Sequence, residues 1–180
     1  MTKQEGYLDK EEQFKKLVAE FGSMIVNLAF RFVGNKDDAH DITQDVFIKA
    51  WNSFESFQGS SSFKTWLYRI GVNESLNFLR KKKVSSFITA LESNLALPFF
   101  LSENAEQQLI QQEEKNLVRK AIKKLPKNQR IAITLRSLRN LSYEEIAQIM
   151  EVSVSSVESL LFRAKNNLKK TLTQYYFSKY

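Results

Sequence analysis

The chain has 180 residues, with 27 Lys and Arg against 20 Asp and Glu, one His, no Cys, five Gly and two Pro. Without cysteine there is no disulfide, thiolate zinc site, iron–sulfur cluster or cysteine nucleophile, and the lone His40 cannot build a multi-histidine metal site. Few helix breakers among frequent Lys, Glu, Gln, Leu and Ala favour helices over sheets.

No stretch approaches the ~20 apolar residues of a membrane span. The opening MTKQEGYLDKEEQ lacks the apolar centre of a signal peptide, so a cytoplasmic location is expected. The glycines stand alone, which leaves no phosphate-binding Gly-rich loop. Charge is unevenly spread. Residues 1–83 hold 13 Lys and Arg against 11 Asp and Glu, residues 84–118 hold 1 against 5, and residues 119–180 hold 13 against 4. A strongly basic final third points to nucleic acid.

From about Glu11 to Val33, Phe14, Leu17, Val18, Phe21, Ile25, Leu28, Ala29 and Phe32 form the wide apolar face of a long helix, which Gly34-Asn35 can end in a left-handed turn. Asp37 or Asp38 is expected to cap the next helix, DAHDITQDVFIKAWNSF, with Ala39, Ile42, Val46, Phe47, Ala50, Trp51 and Phe54 inward. Its outer side carries Asp41, Gln44, Asp45 and Ile48. The helix dipole alone accounts for acids near an N-terminus, but not for an apolar Ile48 in a polar face, which hints at a partner surface. His40 falls on the helix surface.

Residues 55–62, ESFQGSSS, form a loop. It is either a plain connector or a set of amides and hydroxyls able to hold an extruded base. The third helix, FKTWLYRIGVNESLNFLRKKK, opens with Phe63, Trp66, Leu67 and Ile70. Along another side Arg69, Asn73, Asn77 and Arg80 recur at helical spacing, and the run Arg80 to Lys83 ends it. Aromatics beside amides and cations match the needs of single-stranded DNA: stacking, base-edge partners and phosphate neutralisation. A core-packed Trp66 and a basic last turn complementing the dipole are the plainer account. From Val84 to about Asn104 periodicity stops, and Pro98 with Leu97, Phe99, Phe100 and Leu101 makes an irregular, partly apolar linker.

Helix resumes over residues 105–124. Leu125-Pro126 then places proline in the first turn of PKNQRIAITLRSLRN, with Ile131, Leu135 and Leu138 inward and Asn140 available to end it. Next comes LSYEEIAQIMEVSVSSVESLLFRAKNNLKK, a helix, a tight turn and a second helix. Ser142 and Glu145 make a capping box, and Ile146, Ala147 and Met150 give the first helix its apolar side. Ser153 can cap the second helix, in which Val154, Val157, Leu161, Ala164 and Leu168 make one buried stripe. Ser155, Ser159, Phe162 and Asn166 lie opposite, with Arg163 beside them, as suits a helix in a DNA major groove. The aromatic tail from Gln174 to Tyr180 has no readable role.

Taken in order, DAHDITQDVFIKAW, FESFQGSSSFKTWLYRIGVNESLNFLRKKK, AIKKLPKNQR and LSYEEIAQIMEVSVSSVESLLFRAKNNL resemble a bacterial RNA polymerase sigma factor of the sigma-70 family, extracytoplasmic-function group. The resemblance implies an all-α protein of two small helical domains joined by an irregular linker. Region 2 would be residues 1–83, the linker 84–104, and region 4, with its helix-turn-helix, 105–180. It implies no enzyme activity and no cofactor or metal. The implied partners are core RNA polymerase, through its clamp and flap, promoter DNA as duplex and as melted non-template strand, and, as a further partner class, an anti-sigma factor.

Residue by residue, the resemblance assigns Asp41, Gln44 and Asp45 to polymerase, and Ile48 is added from its place on the same face. Phe57, Gly59, Ser60, Phe63 and Lys64 would take up a flipped base of the −10 element. Trp66, Arg69, Asn73 and Asn77 would line the strand, and Arg80, Lys81 and Lys82 would hold phosphates. Ser155, Ser156, Glu158, Ser159, Phe162, Arg163 and Asn166 would face the −35 element. The acidic linker would thread through polymerase toward the RNA exit path. One departure stands out. Where the family commonly has a stretch like GTVKSRL, this chain has Ser155-Ser156-Val157-Glu158-Ser159-Leu160-Leu161, with Glu158 and Leu160 in place of two basic residues. A carboxylate can accept from cytosine N4, so an unusual −35 preference is expected. A stand-alone helix-turn-helix regulator explains the final third but not the aromatic–amide–basic helix or Ile48, and an adaptor that binds only protein does not need the basic final third.

Overall fold

The computed structural model describes residues 3–57, 59, 61–92, 117–138 and 141–179. All regular elements among them are helices: α1 Lys3–Val33, α2 Lys36–Ser53, a 3-10 turn Phe54–Ser56, α3 Phe63–Glu92, α4 117–124, α5 Lys127–Arg136, α6 Tyr143–Met150 and α7 Val154–Lys179. Their described residues build two compact units, the first from those up to 87 together with 148–151, the second from those of 88–147 and 152–179.

In the first unit α1 packs against α2. Ile25, Leu28, Ala29 and Phe32 of α1 and Ala39, Ile42, Val46 and Ala50 of α2 are buried. Each large aliphatic side chain among them contributes about 1.5–3 kcal/mol by leaving water. Val18, expected in this face, is instead exposed. The α1–α2 corner is tight. Gly34 adopts φ 77°, the left-handed region open to glycine, and its amide closes α1 on the Phe30 carbonyl at 2.8 Å. Asn35 is then extended, and its side chain accepts from the Asp38 amide at 3.0 Å. The cap is therefore Asn35 and not Asp37 or Asp38. With α1 ending at Gly34, only Asn35 has the non-helical backbone a cap requires, and the two acids fall in the first turn, where they complement the dipole.

α3 starts at a Ser62 cap whose hydroxyl accepts from the Thr65 amide at 3.1 Å, while the Ser62 carbonyl accepts from the Trp66 amide at 3.0 Å. Leu67, Tyr68, Val72 and Ser75 are buried, and Ser75 donates its hydroxyl to the Gly71 carbonyl at 2.7 Å. At Gly71 α3 lies tight against α1: a Cβ there would lie 2.7 Å from Leu28 Cδ2 and 3.5 Å from Ile25 Cδ1. α3 continues to Glu92, beyond the end expected at Lys83. No glycine or proline occurs between Gly71 and Pro98, so nothing local stops it. α1 likewise begins earlier than Glu11, at Lys3. The rest of the expected linker, the helix over 105–116 and the Asn140 end-cap lie outside the described residues.

In the second unit α5 packs against α7. Ala121, Leu125, Ile131, Ala132, Leu135, Leu138, Leu141, Ile146, Ala147, Ile149, Val157, Leu161 and Ala164 are its buried apolar residues. The buried Gln129 is satisfied by the Asn167 side chain, which donates to its Oε1 at 2.8 Å and ties α7 to α5. Pro126 stands just before α5 and not in its first turn, and its carbonyl accepts from the Arg130 amide at 2.9 Å. The inward residue near the end of α6 is Ile149, three residues after Ile146, with Met150 half-buried beside it.

Candidate nucleic-acid and polymerase interfaces

Two outward surfaces belong to the first unit. On α2, Asp41, Gln44, Asp45 and Ile48 follow the i, i+3, i+4, i+7 spacing of one helix face, and all four are exposed. Ile48 is 59% exposed, a large aliphatic group mostly open to solvent. The opposite side of the helix, including Thr43, whose hydroxyl donates to the Ala39 carbonyl at 2.7 Å, is buried. His40 is exposed, as expected of a surface position.

The second surface combines the loop before α3 with α3 itself. Phe57, Phe63 and Trp66 make a triangle of half-buried rings, with centroids 5.7 Å (Phe57–Phe63), 5.0 Å (Phe57–Trp66) and 5.3 Å (Phe63–Trp66) apart. Phe63 also touches the rings of Phe21 at 5.6 Å and Phe54 at 6.1 Å, so the cluster is anchored on α1 and on the 3-10 turn. Each ring is thus partly covered by its neighbours and partly open to solvent. Gly59 takes φ 68°, where a side chain would be strained, and is exposed at the loop tip; Ser60 lies outside the described residues. Glu55 flanks the loop and is bonded to Lys10 at 2.7 Å. That hydrogen bond and the lysine's charge hold the Glu55 carboxyl below the usual range. Lys10 also sits over the Trp51 ring at 4.6 Å.

Along α3, Arg69, Asn73, Asn77 and Arg80 share one side by their spacing, with Asn73 and Arg80 exposed and Asn77 half-buried. They are not all free ends. Asn77 donates to Glu74 Oε1 at 3.2 Å, and Arg80 donates to Asn77 Oδ1 at 3.1 Å. Glu74 is also paired with Lys49 of α2 at 2.6 Å. Lys81 is exposed, and Lys64 at the start of the helix is half-buried. Lys82, expected to face phosphate only, is paired with Asp38 of α2 at 2.6 Å. Glu74, Lys49 and Asp38 are the members that sequence reasoning missed. Their partners lie 25 and 44 residues away, so no local pattern announces them.

In the second unit the helix-turn-helix forms from local signals. The Ser142 amide donates to Glu145 Oε2 at 2.8 Å and the Glu145 amide to Ser142 Oγ at 3.1 Å, the reciprocal pair of a capping box. α6 ends with Glu151 at φ 56° and the Val152 amide bonded to the Ala147 carbonyl at 3.0 Å, a Schellman-type stop without its usual glycine. Ser153 caps α7, accepting from the Ser156 amide at 3.2 Å.

The outward strip of α7 contains Ser155, Glu158, Ser159, Phe162, Arg163 and Asn166, all exposed, with Ser156 half-buried. The hydroxyls of Ser155 and Ser156 are engaged with Ser153 Oγ at 3.0 and 2.8 Å, so both belong to the cap as much as to the strip. Arg163 donates through Nε to the Ser159 carbonyl at 3.2 Å. Phe162 is 67% exposed. Glu158 is the only carboxylate in α7. Lys165 and Lys169 are also exposed, and their i+3 and i+7 spacing from Phe162 is the signal that adds them to the strip. Val157, Leu161 and Ala164 are buried as expected, but Val154 is 36% exposed: it lies at the first residue of α7, before the helix reaches its packing partner. α7 continues through the aromatic tail to Lys179, with Tyr175 and Phe177 exposed.

Comparisons with known proteins fit this geometry. Residues 17–84 match the family described as Sigma-70 region 2, and residues 115–168 match Sigma-70, region 4. The ECF RNA polymerase sigma-E factor of Escherichia coli (strain K12) is 40% identical over 161 residues, covering 86% of this chain and 84% of that protein. The RNA polymerase sigma-H factor of Pseudomonas aeruginosa is 36% identical over 169 residues, covering 88% and 86%. Among solved structures, CnrH in complex with the cytosolic domain of CnrY aligns with a TM-score of 0.65 at 26% identity, covering 91% of this chain and 90% of that one. The sigma factor RpoE in complex with the anti-sigma factor NepR, from Bartonella quintana, aligns with a TM-score of 0.63 at 26% identity, covering 90% and 98%.

Proposed function

This chain belongs to the extracytoplasmic-function group of the sigma-70 family, and from that premise we propose how its residues divide the work of starting transcription. Residues 1–83 dock on core RNA polymerase and open the −10 element, residues 105–180 bind the −35 element as duplex, and the stretch between them passes through the enzyme. The observation that carries this reading is the presence, in one small unit, of two different outward surfaces. One is the acidic strip of Asp41, Gln44 and Asp45 with an exposed Ile48. The other is the aromatic, amide and cationic side of the loop and α3. A duplex-binding regulator needs only the helix-turn-helix.

Opening the duplex requires no catalytic residue. Bases that find stacking surfaces and hydrogen-bond partners on the protein make the unpaired state the lower in free energy. Phe57, Gly59, Ser60, Phe63 and Lys64 are assigned to the extruded base, Trp66, Arg69, Asn73 and Asn77 to the non-template strand, and Arg80, Lys81 and Lys82 to its phosphates. Phe57, Phe63 and Trp66 support this as a cluster of half-buried rings, each partly open to solvent, with Phe63 held against Phe21 and Phe54. In α7, Ser155, Ser156, Glu158, Ser159, Phe162, Arg163 and Asn166 face the −35 element. There Phe162 is suited to a thymine methyl, and Glu158 to the N4 amino group of cytosine. The chain acts in the cytoplasm, where polymerase and promoter DNA are found, and an anti-sigma factor is the class of protein that would hold it inactive. No helix among the described residues is long and apolar enough to cross a membrane.

Transcription in vitro tests the reading. Core polymerase with this chain is expected to initiate at defined promoters; binding to duplex DNA without initiation would favour a stand-alone helix-turn-helix regulator.

A further inference from the structure

Two ion pairs join the first turn and the fourth turn of α2 to α3, and both reach into the residues assigned to DNA. Lys49 Nζ lies 2.6 Å from Glu74 Oε1, and the same oxygen accepts from Asn77. Lys82 Nζ lies 2.6 Å from Asp38 Oδ2 and 5.6 Å from the centroid of the Phe78 ring. The two carboxylates differ in what they hold. Glu74 holds an amide of the strand path and a lysine of α2. Asp38 holds a cation of the phosphate-binding run itself.

We propose that Asp38 competes with DNA phosphate for Lys82, acting as an internal stand-in that lowers the affinity of the end of α3 for the backbone of the strand. The proposal rests on the assignment of Lys82 to phosphate given above. A lysine neutralised by a carboxylate offers an approaching phosphate little net attraction, and the carboxylate repels that phosphate directly. The arrangement leaves room for exchange. The Lys82 side chain is 59% exposed, against 20% for Asp38, so the ammonium has an open side from which a phosphate can approach. A pair with one largely exposed member is weak and screened by salt, so phosphate can displace the carboxylate without disturbing the fold. The four-carbon stem of lysine allows the ammonium to turn from α2 toward the strand.

Competition has a signature that simple structural support lacks. Each phosphate neutralised by a lysine steepens the fall of log affinity with log salt concentration by about 0.7 for a single strand and 0.9 for duplex. With Asp38 in place Lys82 contributes only part of that amount. Polymerase reconstituted with the Asp38→Asn chain is therefore expected to bind promoter DNA up to about fivefold more tightly at low salt. Its salt slope is expected to steepen by a large part of one phosphate contact. Asp37→Asn removes the same charge one residue away, where Lys82 is not bonded, and is expected to leave the slope unchanged. In a Lys82→Ala background, Asp38→Asn is expected to lose its effect. Core-polymerase affinity and thermal unfolding, measured for each variant, separate this from altered docking or folding. Unchanged or weaker promoter binding by Asp38→Asn would overturn the proposal, and so would the same gain with Lys82 absent. If polymerase carrying the unaltered chain selects no promoter, the sigma-factor reading fails first and this proposal with it.

Discussion

Replacing Gly71 with alanine sets two effects of opposite sign against each other at the place where α3 meets α1. In a helix interior the change gains about 1 kcal/mol of propensity. The added Cβ would stand 2.7 Å from Leu28 Cδ2, about 0.8 Å inside the ordinary carbon–carbon contact distance. Leu28 and Ile25 are fully buried, so neither can yield toward solvent, and overpacking of this kind costs about 1–3 kcal/mol. Gly71→Ala should thus destabilise the first unit by up to about 2 kcal/mol net. Leu28→Val removes the colliding Cδ carbon at a cost of about 1 kcal/mol. In that background Gly71→Ala should stabilise the unit by about 1 kcal/mol, because only the propensity gain is left. Urea unfolding followed by intrinsic fluorescence is the assay, since both tryptophans, Trp51 and Trp66, belong to the first unit. An equal effect of Gly71→Ala in the two backgrounds would refute the close approach as the cause.

Two other substitutions test single surfaces. Ile48→Asp should weaken binding to core polymerase by tenfold or more while leaving the unfolding free energy within about 0.5 kcal/mol of the parent, because the residue is exposed. Unchanged polymerase affinity would remove Ile48 from the docking face. Ser142→Ala deletes the hydroxyl half of the capping box and should cost about 1 kcal/mol. Its effect should appear in the second unit, as earlier amide hydrogen exchange in α6, and exchange rates equal to the parent's would show that the cap contributes nothing.

How much was legible from sequence follows the reach of each signal. The capping box at Ser142 and Glu145 and the Ser153 cap involve residues three apart, and both formed as their spacing dictates. The apolar stripes of α2 and α5 also held, since helical periodicity places Ala39, Ile42 and Val46, or Ile131 and Leu135, on one side without outside help. At the α1–α2 corner the local signals were ambiguous. Asn35, Asp37 and Asp38 are all good caps, and it was the point at which Gly34 closes α1 that selected Asn35. The end of α3 was missed because lost amphipathic periodicity does not by itself stop a helix, and no glycine or proline follows Gly71 before Pro98.

The sequence by itself determined the all-helical class, the order of the elements, the exposed strips on α2 and α7 and the family to which they point, because each depends on residue type and short-range spacing. Tertiary structure alone decided which charges are already occupied. That Lys82 is held by Asp38, and Glu74 by Lys49 and Asn77, depends on how α2 and α3 lie side by side. It alone also decided that Gly71 has no room for a side chain against Leu28 of α1. A helix pattern shows which face is outward; only the packing of the helices sets which side chains from distant parts of the chain meet there.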